Sequence, residues 1–458
     1  MIQLVCRDCA YAYDAYHIVK AFYPNVEIEQ RIEKEQEPLI SLEIKGGSCF
    51  CYSGERIFQI AGDISDDKHA VNRKLYRMLA KQTAEVLPWG VLTGVRPTKL
   101  VMARMEEGWD TEQIRNWMQE TYLVSAAKAC LGIEIAERER ALLRKLDYQD
   151  GYSLYVGIPF CPSICAYCSF SSSPIAKWKG QVEAYLDALF RELAWIGEVS
   201  LQKHLNTIYI GGGTPTTLDA EQLERLLCHL EQHFSYDAVR EFTVEAGRPD
   251  SITEEKLEVM KRHKVTRISI NPQTMQQRTL ERIGRRHTVE ETKTAFSLAR
   301  KLGFDNINMD LIAGLPGETS RDMEDTLNQI RCMKPDSLTI HSLAVKRAAL
   351  YGQHPMIPTS AKEMTRMIEA GAQTAREMGL MPYYLYRQKN MAGNFENVGY
   401  AEVDKAGIYN ILIMEEKQTI VACGAGSISK RVYPDGRIER SENVKDVAQY
   451  IERIGEMI

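Results

Sequence analysis

Between about residues 150 and 345 the chain alternates apolar, β-rich runs with helical patterns, and no other feature constrains its fold as strongly. The runs are SLYVGI, TIYIGG, FTVEAG, RISINP, INMDLIAG and LTIHSLA, with helices predicted near 177–199, 219–234, 253–262, 288–302 and 320–333. Strands joined by helical crossovers lie parallel in one sheet, because a tight turn cannot connect parallel neighbours. Six such units predict a parallel sheet, open or partly closed into a barrel. In sheets of this kind the chemistry sits at the carboxyl ends of the strands. Every notable motif of the stretch falls there: a cysteine loop after the first strand, GGGTPT after the second, Glu245 ending the third, Asn271 and Gln273 ending the fourth, and Asp310 ending the fifth.

The cysteine loop, YVGIPFCPSICAYCSF, holds Cys161, Cys165 and Cys168 in the spacing C-x3-C-x2-C. Three thiolates this close can bind three irons of a cubane cluster and leave the fourth iron open to another ligand. A structural zinc site needs four ligands, and no His or Cys follows at finger-like spacing. An odd, tightly bunched set also pairs badly as disulfides. At the second strand end, Gly211, Gly212 and Gly213 let a ligand approach the backbone closely, and Thr214 follows them. Unpaired burial of the Glu245 carboxylate would be costly, so it should face a cation or hydroxyl donors. Gln273, Arg285 and Asp310 supply further polar groups, an arginine fork suiting a carboxylate and an acid suiting ribose hydroxyls. Two readings stand for Arg285, since Arg282, Arg286 and His287 make its surroundings look like a charged surface. Two stand also for Tyr155, a ring packed on the bound group or an ordinary strand tyrosine.

The rest of the chain reads as flanking structure. Residues 1–65 read as a small α+β module, 66–148 as a helical segment, 149–345 as the barrel and 346–458 as a C-terminal domain on the substrate side. In the module, Cys6 and Cys9 form a CxxC and Cys49 and Cys51 a CxC, but neither pair is flanked like a zinc or redox site, which favours structural cysteines. Amphipathic stretches at 68–87, 97–107, 110–122 and 125–146 predict helices; TGVRPTK, with Gly94, Arg96 and Lys99, is either an anion-binding turn or a helical connector. Beyond the barrel a helix is predicted near 360–378, strand-like runs at YNILIM and TIVACG, and a final helix at 444–456. A net charge of −5 argues against nucleic acid as the default partner, and no apolar run approaches membrane-spanning length. The opening residues lack a signal-peptide core, so a cytoplasmic location with reduced cysteines is expected.

CxxxCxxC directly after a β-strand resembles the radical S-adenosylmethionine superfamily. In order, YVGIPFCPSICAYC, GGGTPT, VEAGRPDSIT, ISINPQTMQQRTLERIGRRHT and NMDLIAGLPGET resemble the oxygen-independent coproporphyrinogen III oxidase family. The first 150 residues look most like its coproporphyrinogen dehydrogenase HemZ variant. The resemblance implies a partial parallel (β/α)6 barrel with an N-terminal α+β and helical extension and a C-terminal α+β domain. It implies a 4Fe–4S cluster on Cys161, Cys165 and Cys168, and S-adenosylmethionine contacted by Glu245, Gln273, Arg285 and Asp310, with Tyr155, Gly212, Gly213 and Thr214 beside it. The implied reaction turns coproporphyrinogen III propionates into vinyl groups through a 5′-deoxyadenosyl radical, giving protoporphyrinogen IX in heme biosynthesis. Implied partners are a tetrapyrrole substrate and an electron-donor protein such as a flavodoxin or ferredoxin.

The alternatives are a heme-binding chaperone on the same scaffold, or a radical enzyme acting on another tetrapyrrole. Arg248, Lys346, Arg347 and Arg387 are candidate cations for the substrate's carboxylates, against a reading as ordinary surface charges. Met391 and the cluster of Tyr383, Tyr384 and Tyr386 are either macrocycle contacts or core. Three departures from the family pattern stand out. Phe170 occupies the position of a further cysteine in the oxidase, Gly157 that of a histidine, and GNFENVGYA stands where the chaperone branch has HNxxYW.

Overall fold

The structure, a computed structural model, describes residues 1–458 apart from 25, 35–38, 45–55, 61–66, 95, 171, 345–348, 354–358 and 389–394. It divides into two compact units, Met1–Glu137 with Leu385–Asn397, and Arg138–Tyr384 with Val398–Ile458.

The first unit opens on four strands, β1 (Ile2–Cys6), β2 (Ile28–Ile32), β3 (Ile40–Ile44) and β4 (Arg56–Ile60), in the order β2-β1-β3-β4. β1 runs parallel to β2, which a crossover helix makes necessary, and antiparallel to β3. Alternation along β1 buries Ile2, Leu4 and Cys6 in one core with Ala15, Ile18 and Val19 of helix Cys9–Phe22 and Leu75 and Leu79 of helix Lys68–Thr83. Asp8 starts the first of these helices by accepting from the Ala10 amide at 2.7 Å. Cys6 is therefore a core residue, and burial pushes its thiol up to about 11, whereas Cys9 is exposed. That separation fits structural cysteines; Cys49 and Cys51 lie outside the described residues. Helices Pro97–Glu106, Thr111–Tyr122 and Ala126–Leu143 follow, with Pro97 at the first helical position as the RPTK motif predicts.

The second unit is organised by β5 (Gly151–Ile158), which feeds the cysteine loop. Two short strands, β6 (Phe160–Cys161) and β7 (Ser173–Pro174), pair in parallel and bracket that loop. The expected strands follow as β8 (His204–Gly212), β9 (Glu241–Glu245), β10 (Arg267–Ser269), β11 (Ile307–Ala313) and β12 (Ser337–Ser342). With β5 they lie side by side and all parallel, in the order β5-β8-β9-β10-β11-β12. The sheet has two free ends, so the barrel is partial. The longer helices between these strands are Val182–Val199, Ala220–His233, Glu254–Arg262, Val289–Lys301 and Ser320–Met333, and a short one, Gln277–Arg282, precedes Val289–Lys301. Capping boxes at Asp219, Thr288 and Thr319 start three of them. The first begins later than the expected 177, because a 3-10 turn at Ile175–Lys177 and Gly180 break the pattern.

Residues 346–458, read from the sequence as a substrate-side domain, instead extend this sheet at both edges and lend Leu385–Asn397 to the first unit. β13 (Met381–Tyr386) is outermost, and β14 (Asn397–Ala401) pairs antiparallel with β12. At the other edge β15 (Thr419–Cys423) joins β5 in parallel, followed by antiparallel β16 (Ile428–Val432) and β17 (Ile438–Glu442). One element departs from its expected type: YNILIM lies in a helix, Ile408–Glu415. A short apolar run does not distinguish strand from helix. The deciding interaction is tertiary, since the Glu241 carboxylate accepts from the Ile408 and Tyr409 amides at 2.6 and 3.3 Å and caps the helix.

Candidate active site

The cysteine loop leaves β5 and turns back on itself, the Cys168 amide donating to the Cys165 carbonyl at 3.0 Å. The loop is fixed from outside. The Ala166 amide donates to the Ile283 carbonyl at 2.9 Å, and the Ser163 hydroxyl to the Gly284 carbonyl at 2.9 Å. Arg248, 3% exposed, donates to the Ser163 carbonyl and hydroxyl at 3.1 Å each and approaches Cys165 Sγ at 3.8 Å, while Asp250 takes its remaining N–H groups at 2.9 and 3.0 Å. Arg248 thus positions the loop and is not available for a substrate carboxylate. Cys161, Cys165 and Cys168 are all free thiols, Cys165 buried and the others half-buried. Burial pushes the Cys161 and Cys168 thiols up, and the charge of Cys165 pushes both further. Thr214 Oγ1 donates to Cys161 Sγ at 3.5 Å.

Across from the loop, β8 ends in the glycine run. Gly212 has φ +104°, and a Cβ at Gly213 would meet the Phe160 carbonyl oxygen at 2.4 Å. A Cβ at Gly211 would stand 3.1 Å from the Glu245 carboxyl carbon. The run therefore lets three neighbouring strand ends close together. Below it Tyr155, Tyr209 and Tyr409 form a stack, with ring centroids 4.4 Å apart for Tyr209 and Tyr409 and 6.1 Å for Tyr155 and Tyr209. The Tyr209 hydroxyl donates to Glu245 Oε1. Burial raises the Glu245 carboxyl to about 7, against the Tyr209 hydrogen bond and with help from the charge of Asp310. Asp310 accepts from Asn308 Nδ2 at 2.7 Å, and His341 Nε2 lies 3.6 Å from it. Burial alone would raise Asp310, but His341, Asn308 and Thr339 outweigh it and hold the acid below its ordinary value.

Between these groups lie Gln273 and Arg285. Gln273 sits at φ +68°, its amide donating to the Asp310 carbonyl at 2.9 Å and its carbonyl accepting from Ile312 at 2.9 Å. Left-handed backbone at a non-glycine residue is strained, and two backbone bonds to β11 hold it there. Its Oε1 and the Oδ1 of Asn271 are buried acceptors without a partner. Arg285 is 5% exposed, which excludes the charged-surface reading. It donates to the carbonyls of Asn271 and, at 3.1 Å, Gly247, tying the ends of β9 and β10 together, and its Nε has no partner.

All of the residues singled out from the sequence for metal or cofactor therefore lie at one end of the barrel. The sequence reasoning missed Tyr209, Tyr409, His341 and the loop-fixing role of Arg248. Tyr209 and His341 carried a signal, a polar group inside an apolar strand near its carboxyl end. Tyr409 sits in the run read as a strand, and nothing local marks it. Two other candidate cations, Lys346 and Arg347, lie outside the described residues, as does Met391. Arg387 is buried in the first unit, donating to the Leu92 and Gly94 carbonyls at 2.7 and 3.2 Å. Tyr383 and Tyr384 are core residues, 0% and 5% exposed.

The radical SAM superfamily model matches residues 155–330, the β5-to-β11 barrel and its helices. The oxygen-independent coproporphyrinogen-III oxidase-like protein HemZ of Bacillus subtilis is 43% identical over 394 residues, covering 84% of this chain and 78% of the relative. The chain belongs to this oxidase-like family of the radical SAM superfamily. The heme chaperone HemW of the same organism is 38% identical over 200 residues, 43% of this chain and 52% of that protein. The solved coproporphyrinogen III oxidase HemN of Escherichia coli superposes with a TM-score of 0.55 at 22% identity, covering 69% of this chain and 72% of that one, which shows a shared fold. Radical SAM proteins use a 4Fe–4S cluster and S-adenosylmethionine, and the residues here fit both. Three free thiols share one fixed loop, two carboxylates suit a sulfonium and an ammonium group, and the unpaired Asn271 and Gln273 oxygens suit hydroxyl or amino donors. No helix among the described residues is long and apolar enough to cross a membrane.

Proposed function

We propose that the protein carries out oxygen-independent oxidative decarboxylation of coproporphyrinogen III, turning two propionates into vinyl groups and giving protoporphyrinogen IX. Each propionate loses carbon dioxide, one hydrogen atom and one electron. The observation that carries this reading is the length of the HemZ similarity, 394 residues at 43% identity, which the barrel alone cannot supply. In this reading Cys161, Cys165 and Cys168 hold the cluster, and Tyr155, Gly212, Gly213, Thr214, Glu245, Gln273, Arg285 and Asp310 surround S-adenosylmethionine. When bound, the two groups supply an electron and a carbon-centred radical able to remove a hydrogen atom. The chain's own residues attract and orient: Glu245 and Asp310 draw the cofactor's positive groups, while Arg248 and Arg285 fix the loop and the strand ends around them. The glycine run admits the ligand to the backbone, and the tyrosine stack keeps water from beneath the site. Phe170, 73% exposed two residues beyond Cys168, offers an apolar face to a macrocycle. A flavodoxin or ferredoxin in the cytoplasm would serve as electron donor.

The chaperone reading draws on the HemW similarity, but residues of this chain count against it. Phe395 and Glu396, in the segment GNFENVGYA, are buried, and Glu396 accepts from Trp89 Nε1 at 2.8 Å and from Lys128. Side chains committed in this way cannot face a heme. An anaerobic assay decides. Reconstituted protein is given reductant, S-adenosylmethionine and coproporphyrinogen III, and 5′-deoxyadenosine and porphyrin products are quantified. Vinyl products in step with deoxyadenosine are expected. Deoxyadenosine without vinyl product overturns the oxidase reading, and tight heme binding with neither product favours the chaperone.

A further inference from the structure

Helix Ala220–His233 follows β8 and helix Glu254–Arg262 follows β9, so the two are neighbours on the outside of the sheet. The first buries Leu223, Leu226, Leu227 and Leu230 against the core. Glu224 and Cys228, one helical turn apart, share another face. His263, at the C-terminal cap of the second helix and 8% exposed, reaches between them. Its Nε2 lies 2.8 Å from Glu224 Oε1 and 3.9 Å from Cys228 Sγ, and Cys228 Sγ lies 3.9 Å from Glu224 Oε1.

These three separations resemble the edges of a coordination tetrahedron. Bond lengths of about 2.0 Å for nitrogen or oxygen and about 2.3 Å for sulfur require about 3.3 Å between nitrogen and oxygen and about 3.6 Å from sulfur to either. Each edge is met to within roughly half an ångström, less than a side-chain rotation supplies. The second ring nitrogen, His263 Nδ1, is buried and makes no hydrogen bond, but Glu231 Oε2 lies 3.1 Å from it. A small turn of the carboxylate completes the carboxylate–histidine arrangement that orients a metal-binding imidazole. Arg262 pairs with Glu224 through Oε2, leaving Oε1 to a metal.

We infer that Glu224, Cys228 and His263 form a site for a zinc-like divalent cation, oriented by Glu231 and separate from the cysteine loop. One carboxylate, one thiolate and one imidazole suit a borderline-soft ion, and the fourth position is left to water. The ion replaces the proton shared by His263 and Glu224 and clips two crossover helices together. It requires no change in the barrel mouth.

The test uses cluster-reconstituted protein, so that iron occupies Cys161, Cys165 and Cys168, and dialyses it against buffered zinc before zinc and iron are measured in the same samples. Wild type should retain one zinc per chain, with one sulfur at about 2.3 Å and lighter ligands at about 2.0 Å by X-ray absorption. Cys228→Ala and Glu224→Gln should lose the zinc while keeping their iron, and Glu231→Gln should bind it at least tenfold more weakly. Cys228→Ala favours the helix it sits in, so folding is not at issue, and Glu224→Gln keeps the side-chain shape. Failure of wild type to retain zinc, or zinc retained undiminished by both Cys228→Ala and Glu224→Gln, overturns the site.

Discussion

The two halves of the barrel mouth handle charge in opposite ways. On the loop side, Arg248 and Arg285 are both at least 95% buried; Arg248 ends on Ser163 and Asp250, and Arg285 on the carbonyls of Asn271 and Gly247. On the interior side, Glu245 and Asp310 are held by neutral or weakly basic neighbours, Tyr209, Asn308 and His341. In the proposed function the two arginines are scaffolding for the thiols, while Glu245 and Asp310 receive the cationic ligand. The likeness of the residues as charged groups at strand ends hides this division of roles.

The division can be broken most strongly by matched substitutions. Arg248→Ala takes from Asp250 its arginine partner and from Ser163 two of the bonds that hold the loop, a loss on the order of 1–3 kcal/mol, and should abolish iron retention after reconstitution. Glu245→Gln should keep wild-type iron and weaken S-adenosylmethionine binding at least tenfold by calorimetry, an isosteric change that removes only the charge. Iron loss in Glu245→Gln with iron kept in Arg248→Ala would reverse the roles.

The halves should also answer pH in opposite directions. Glu245 is raised from an ordinary 4.5 to about 7 by burial, so its contribution to stability is full below about 4.5 and is lost as pH rises through about 7. His287, fully buried beside Arg285, Arg248 and Asp250, is lowered from 6.5 to about 3, first by burial and then by Arg285. Its contribution is full above 6.5 and is lost as pH falls toward 3. Urea midpoints of cofactor-free protein should show the alkaline loss flattened in Glu245→Gln and the acid loss flattened in His287→Gln. A smaller effect is expected at Gln273. Relief of its left-handed backbone in Gln273→Gly should offset the loss of side-chain packing, moving stability by about 1 kcal/mol or less, while cofactor affinity falls with the unpaired Oε1. Unchanged affinity would remove Gln273 from the site.

The barrel was legible because its strands are apolar runs closed by glycine or a polar group, a pattern that buried parallel strands force on a sequence. The same rule located Glu245, Gln273 and Asp310. It failed where identity depends on a distant partner. Arg248 looked like a free cation until Ser163 and Asp250 were seen around it, and YNILIM became helical because Glu241 caps it from β9. The apolar run also concealed Tyr409, whose ring completes the stack beneath the mouth.

The pairing of β15 with β5 carries a consequence for the order in which the molecule can be completed. β5 supports the cysteine loop, yet its second neighbour is residues Thr419–Cys423, synthesised more than 250 residues later. Tyr409 reaches its stack from the same late stretch. A nascent chain carries its three thiols long before the strand that flanks them exists, so the loop leaves the ribosome on a sheet with an open edge. Contacts this distant in sequence form slowly. Iron delivery is therefore best matched to release of the whole chain, not to the first appearance of the cysteines.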